Sequence, residues 1–361
     1  MSNSQALINN KVDFWLVGGL SLLGLCVLWT FTDLFSKVDF WYTAWLLAFF
    51  VNGPHFLISY LMFYRLHSEQ LQKRSVFKLV GFALPAVICA LCIAAFFLKS
   101  AVLLIGLLYS MFFLVGWHYV RQGYGVLMVM SGINHSFFSA WEQRLVKWSL
   151  YALWGASFLS MFGLQERFTN YWGLSYSIPS LNPLWVQMAQ ILAYGGLVAI
   201  LLLLAYRHWV AGIRDSLSGV TGVLVQYVWM LPLFKHPQFF LFVPLFHSLQ
   251  YLIFPAAVIQ NREESQGVEG IEKRIWLHWW GPAFVLAALA FYFVPDALDR
   301  VFWESHKEVF GGSFFLVSFI VFINIHHYFI DSLMWKRENE VVRNYLKPVG
   351  SSNKADKECS I

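Results

Sequence analysis

The chain has 361 residues, 58% of them hydrophobic, 19% aromatic and only 12% charged, where a soluble domain carries roughly 25% charged residues. So little charge cannot cover a surface facing water, which excludes a soluble enzyme or a nucleic-acid-binding module and puts the exterior in lipid. The net charge of +5 is small, and its placement along the chain matters more than its size.

A membrane span takes about 20 apolar residues, and hydropathy marks ten candidates. In chain order they are Phe14–Phe31, Trp41–Tyr64, Phe77–Leu98, Ala101–Val120, Lys147–Gly163, Leu184–Tyr206, Ser218–Phe234, Gln238–Ile259, Leu277–Val294 and Ser313–Trp335. If the fourth runs on through Gly125–Met130, Arg121 lies inside the bundle. With a cytoplasmic N-terminus, 19 of the 25 Lys and Arg residues fall on the cytoplasmic side, as the positive-inside rule requires. The expectation is an all-α polytopic transmembrane bundle of about ten spans with both termini cytoplasmic. Residues 1–347 form a single membrane domain in the cell inner membrane, and the polar tail Pro348–Ile361 is disordered. Phe14–Phe31 lacks a cleavage pattern and reads as a retained helix. Cys89 and Cys92 have redox-motif spacing inside an apolar run and read as packing residues.

The chain has 11 histidines. His67, His135, His208, His278 and His306 fall at helix ends or in polar loops and read as solvated or interfacial. His55, His118, His247, His326 and His327 lie within apolar spans, and His236 precedes Pro237 at the outer end of the eighth. A polar group in hydrocarbon is costly and marks either function or a structural hydrogen bond. Four helices each bring an imidazole into the apolar layer, and one metal ion satisfies them together. The depths agree, since His55 is ten residues from Arg65 and His326 ten from Lys336. His236 is eleven residues from His247, roughly 16 Å along a helix. It joins the site only if Pro237 breaks the helix.

The candidate metal ligands are therefore His55, His118, His247 and His326, with His327 as an alternate. Asp331, one turn beyond His327, can orient an imidazole, ligate directly or pair with Lys336. Gln122 lies one turn after His118 and Tyr251 four residues after His247. Asp331, Tyr251 and Gln122 form the candidate catalytic set. Asn52 and Asn324 each shortly precede a histidine, and Gly53-Pro54 breaks or kinks the helix ahead of His55.

In the order of these motifs the sequence resembles the bacterial Brp/Blh-type membrane carotenoid dioxygenases. The matching elements are Pro54-His55, the single histidine His118, the step His247-Ser248, and His326 followed by Ile330-Asp331 and a basic end at Lys336. Tyr251 stands where that family has a second histidine, and Phe56-Leu57-Ile58-Ser59 replaces its Gly-Ala-Leu-Asp. The resemblance implies a non-haem Fe(II) held by histidines among helices, and oxygen chemistry on a lipophilic substrate. His326 or His327 would then replace the missing ligand.

The expected function is a His-ligated non-haem iron oxygenase with one iron or two. It would take O2, a lipid-like substrate from the bilayer and, where the reaction needs one, a redox donor. A b-type haem electron carrier and a proton or substrate transporter using the intramembrane histidines remain the alternatives.

Overall fold

In lipid only a helix or a closed barrel can pair all its own backbone N–H and C=O groups. In a computed structural model, which describes residues 6–30, 46–163, 168–231, 242–267, 270–336 and 338–346, the chain is almost wholly helical. The main helices are α1 (Leu20–Thr30), α2 (Gly53–Leu66), α3 (Leu84–Phe97), α4 (Ala101–Ile133), α5 (Ala140–Ser160) and α6 (Pro183–Trp209). They continue with α7 (Leu217–Met230), α8 (Val243–Ser265), α9 (Gly281–Ala288) and α10 (Phe314–Met334). Among the described residues one small hairpin, β1 (Phe168–Tyr171) and β2 (Leu174–Ser177), pairs antiparallel. Both of its turn residues, Trp172 and Gly173, have positive φ, as a tight hairpin turn requires.

Seven helices among the described residues are long and apolar enough to cross a membrane: Asn10–Val27, Ser75–Phe97, Ala101–Ile133, Pro183–Trp209, Val243–Ser265, Ile271–Val301 and Phe314–Met334. Three of the ten expected spans are not among them. The second begins outside the described residues, and its described part is α2 with the turn before it. The fifth falls in α5, which opens with the charged residues Glu142, Arg144 and Lys147. The seventh is α7, only 14 residues long. The fourth does run on, since α4 continues to Ile133, but Arg121 within it is exposed rather than inside the bundle, its guanidinium over the Trp117 ring. His236 and the tail Pro348–Ile361 lie outside the described residues.

Prolines shape the helices around the centre. Four π-helical turns, Ala48–Asn52, Leu79–Ala83, Trp276–Trp280 and Leu289–Phe293, each end two residues before a proline: Pro54, Pro85, Pro282 and Pro295. Proline has no N–H and its ring crowds the carbonyl four residues back, so the helix widens by one residue and a carbonyl loses its partner. Side chains from elsewhere take up carbonyls in two of these turns. The Tyr64 hydroxyl donates to Gly81 at 2.6 Å, and Arg65 donates to the His278 carbonyl. Tyr64→Phe is expected to cost about 1–3 kcal/mol, the penalty for an unpaired buried carbonyl. Thermal unfolding of the detergent-solubilised protein, compared with wild type, reads the loss.

Close packing relies on small residues, as is usual between membrane helices. A Cβ at Gly222 of α7 would collide with Val126 and Val17, and one at Gly123 of α4 with Gln226. Where α5 and α6 meet, Arg207 is 1% exposed. It donates to both Glu142 oxygens at 3.0 and 3.1 Å and to both Asp215 oxygens at 2.9 and 2.8 Å. Glu142 also closes a capping box with Ser139 at the start of α5. The first turn of α10 is capped from another helix, by Asp299 accepting from the Phe315 and Leu316 N–H groups.

Candidate metal centre

Helices α2, α4, α8 and α10 pack around one buried point, and each aims an imidazole at it. The His55 ring lies 4.7 Å from that of His327 and 5.1 Å from that of His247. The His118 ring lies 4.8 Å from that of His247 and 5.0 Å from that of His327. His55, His118, His327 and Asp331, all buried, each offer one donor atom, and these four atoms lie within 4.8 Å of one another. This group can bind a metal ion.

Its fit to a metal can be tested on individual atoms. Donors about 2.1 Å from a shared ion sit roughly 3.0–3.4 Å apart when adjacent and about 4.2 Å apart when opposite. Nε2 of His118 and Nε2 of His247 are 3.1 Å apart. Nε2 of His327 is 3.3 Å, and Nε2 of His118 3.9 Å, from Oδ2 of Asp331. Nε2 of His55, Nδ1 of His247 and both nitrogens of His327 are buried with no hydrogen-bond partner. Unpaired polar atoms at such a depth are costly, and a metal removes that cost for the nitrogens it coordinates. The donor set of imidazole and carboxylate suits iron, zinc or manganese rather than a soft thiolate-seeking ion.

His326, the expected ligand on α10, turns away from this point, and its neighbour His327 faces it. The reason lies in the turn Leu79–Ala83. The Leu84 N–H reaches back to Leu79, and the next candidate donor is Pro85, which has none. The Val80 carbonyl is thus left without a backbone donor, and Nε2 of His326 supplies one at 2.8 Å. Nδ1 of His326 lies 2.9 Å from the Tyr60 hydroxyl. His326 is a hydrogen-bonded structural residue.

The other candidates take supporting positions. The Tyr251 hydroxyl donates to Oδ1 of Asp331 at 3.0 Å and accepts from the Trp335 indole at 3.1 Å. Ser59 lies 2.6 Å from it. The carboxylate is thereby held by one oxygen while the other faces the histidines, and of the three roles open to it from the sequence, pairing with Lys336 is not what positions it. Gln122 does not point into the cluster. Its amide donates to the His247 carbonyl and to Gln250, each at 3.0 Å. Gln250 in turn donates to the carbonyls of Val17 and Gly222, tying α8 to α7 and to the turn Trp15–Gly19. Tyr328 stacks on His118 at 4.6 Å and Tyr119 packs on His247 at 4.3 Å.

Ser59, Ser248 and Trp335 were not among the expected site residues, although Ser248 adjoins His247 in sequence and Ser59 and Trp335 each follow a candidate ligand by one helical turn. Two histidines expected at interfaces are buried instead. His67 lies 2.7 Å from the Asn339 amide, which caps the helix Glu340–Tyr345, and burial pushes its imidazole below the ordinary value. His306 packs beside Asp299. Compared with family models, curated proteins and solved structures, the chain finds no match.

Proposed function

We propose that the protein is a multi-pass inner-membrane oxygenase carrying one non-haem iron, which acts on a lipophilic substrate drawn from the bilayer. The observation that carries this reading is the convergence of His55, His118, His327 and Asp331, joined by His247, on one closed point in an apolar surround. Iron held by imidazole and carboxylate with open coordination positions supplies O2 activation. The chain's own contribution is to bind and to shield. Four helices fix the donors, while Phe56, Tyr119 and Tyr328 pack directly on the imidazole rings and exclude water. Exclusion of water protects reactive species from side reactions.

The motif order shared with the Brp/Blh-type dioxygenases supports the same chemistry, with His327 and Asp331 completing a set in which Tyr251 is no ligand. Ten spans with both termini cytoplasmic would put 19 basic residues on one face, in keeping with the positive-inside rule. A haem carrier is less consistent with rings in mutual contact, which leave no slot for a porphyrin between them.

Metal analysis of the purified protein tests the proposal. Iron near one per chain is expected, unchanged in His326→Ala, with no Soret band. A different bound metal would overturn the oxygenase reading, and a strong Soret band would favour the haem carrier.

A further inference from the structure

We infer that Ser248, backed by Asn52, is a positioning residue that fixes the tautomer of His55 so that Nε2 faces the metal. This rests on the metal reading above and adds to it the device that aims one ligand.

The direction of two hydrogen bonds carries the inference. The Ser248 hydroxyl donates its single proton to the Asn52 side-chain oxygen at 2.9 Å. Toward His55 it can then only accept. Nδ1 of His55 lies 2.8 Å from that hydroxyl oxygen and must carry the ring proton. A neutral imidazole has one N–H, so Nε2 keeps its lone pair. Nε2 is also the His55 nitrogen that is buried without a partner, on the side where His118, His327 and Asp331 place their donor atoms. The opposite tautomer would put an N–H where the ion has to sit.

Sequence and local structure build the device. Asn52 ends the π-turn Ala48–Asn52, three residues before His55, with Gly53-Pro54 between them. On α8 the adjacent residues His247 and Ser248 point to different partners: one reaches the cluster and the other reaches His55 and Asn52. Ligand histidines commonly donate their second N–H to a fixed acceptor, and loss of that acceptor weakens metal binding about 10- to 100-fold. Here the acceptor is a hydroxyl whose orientation an amide dictates.

If these groups only satisfied each other inside the bilayer, removing them would change stability and leave metal affinity alone. The test titrates the detergent-purified full chain, stripped of metal by a chelator, with Co2+ and follows the ligand-field absorption. Ser248→Ala and Asn52→Ala should each bind Co2+ about 10- to 100-fold more weakly than wild type. The double variant should bind no more weakly than Ser248→Ala, because the amide acts through the hydroxyl. Asn52 is only half-buried, so Asn52→Ala gives the readout if Ser248→Ala does not fold. Affinities equal to wild type, or losses that multiply in the double variant, overturn the inference and leave the metal site standing. A wild type that takes up no Co2+ overturns both.

Discussion

His327→Ala is expected to abolish stoichiometric metal binding, and Asp331→Ala to weaken it severely. Neither ring nitrogen of His327 has a hydrogen-bond partner at 0% exposure, and its one polar neighbour is Asp331, itself in the candidate donor set. The loss also has a thermodynamic signature. A ligand at 1,000 times its Kd stabilises the state that binds it by about 4 kcal/mol. Chelation should therefore lower the melting midpoint of the wild type by several degrees and leave that of His327→Ala where it is. His326→Ala should behave the other way round, keeping its response to chelator while melting lower, because it strands the Val80 carbonyl. Equal metal content in the His326 and His327 variants would contradict the assignment.

The second large effect concerns a place far from the metal. Arg207→Met should cost about 3–5 kcal/mol, the range for removing one partner of a buried ion pair. The substitution leaves Glu142 and Asp215 facing each other, each with a side chain only 8% exposed. It also strips donors from the Ser136 and Phe137 carbonyls. Arg207→Lys keeps the charge but loses the two-pronged geometry and should fall in between. The same network predicts acid sensitivity. Burial on its own would raise Glu142, but hydrogen bonds from the Ser139 N–H and hydroxyl and from Arg207 outweigh it and hold the carboxyl below its ordinary range. A depressed carboxylate stabilises the fold above the ordinary value of 4.5, and that contribution is lost as pH falls through the lowered one. Unfolding of detergent-solubilised wild type against pH, compared with Glu142→Gln, reads it directly.

Hydropathy marked seven helices that are long and apolar enough to cross a membrane among the described residues, and left their exact boundaries open. Counting residues from the basic helix ends put His55 and His326 at one depth, with His118 near it once the fourth helix runs on; α2, α4 and α10 do meet there, but with His327 in place of His326. The choice between His326 and His327 was beyond such a count. Adjacent helical residues sit at the same depth and point about 100° apart. What separates them is Pro85, some 240 residues earlier in the chain, which frees a carbonyl that His326 then satisfies. Gly53-Pro54 signals a helix break in the sequence, and in the structure Pro85, Pro282 and Pro295 each follow a π-turn in the same way. The identity of the side chains that would repair each break depends on contacts between distant segments. Tyr251 is similar: its place in the motif pointed to the site, and only the packing of α8 on α10 gave it Asp331 to hold.

The centre draws its donors from four helices, and the last of these in the sequence, α10, brings both His327 and Asp331. During synthesis the first three would enter the bilayer with their imidazoles still short of a complete set. A metal-binding group that includes His327 and Asp331 is complete only after residues 314–334 have been made and have docked. An ion met earlier would find at most three of these donors, His55, His118 and His247, and the full set only once assembly is nearly finished.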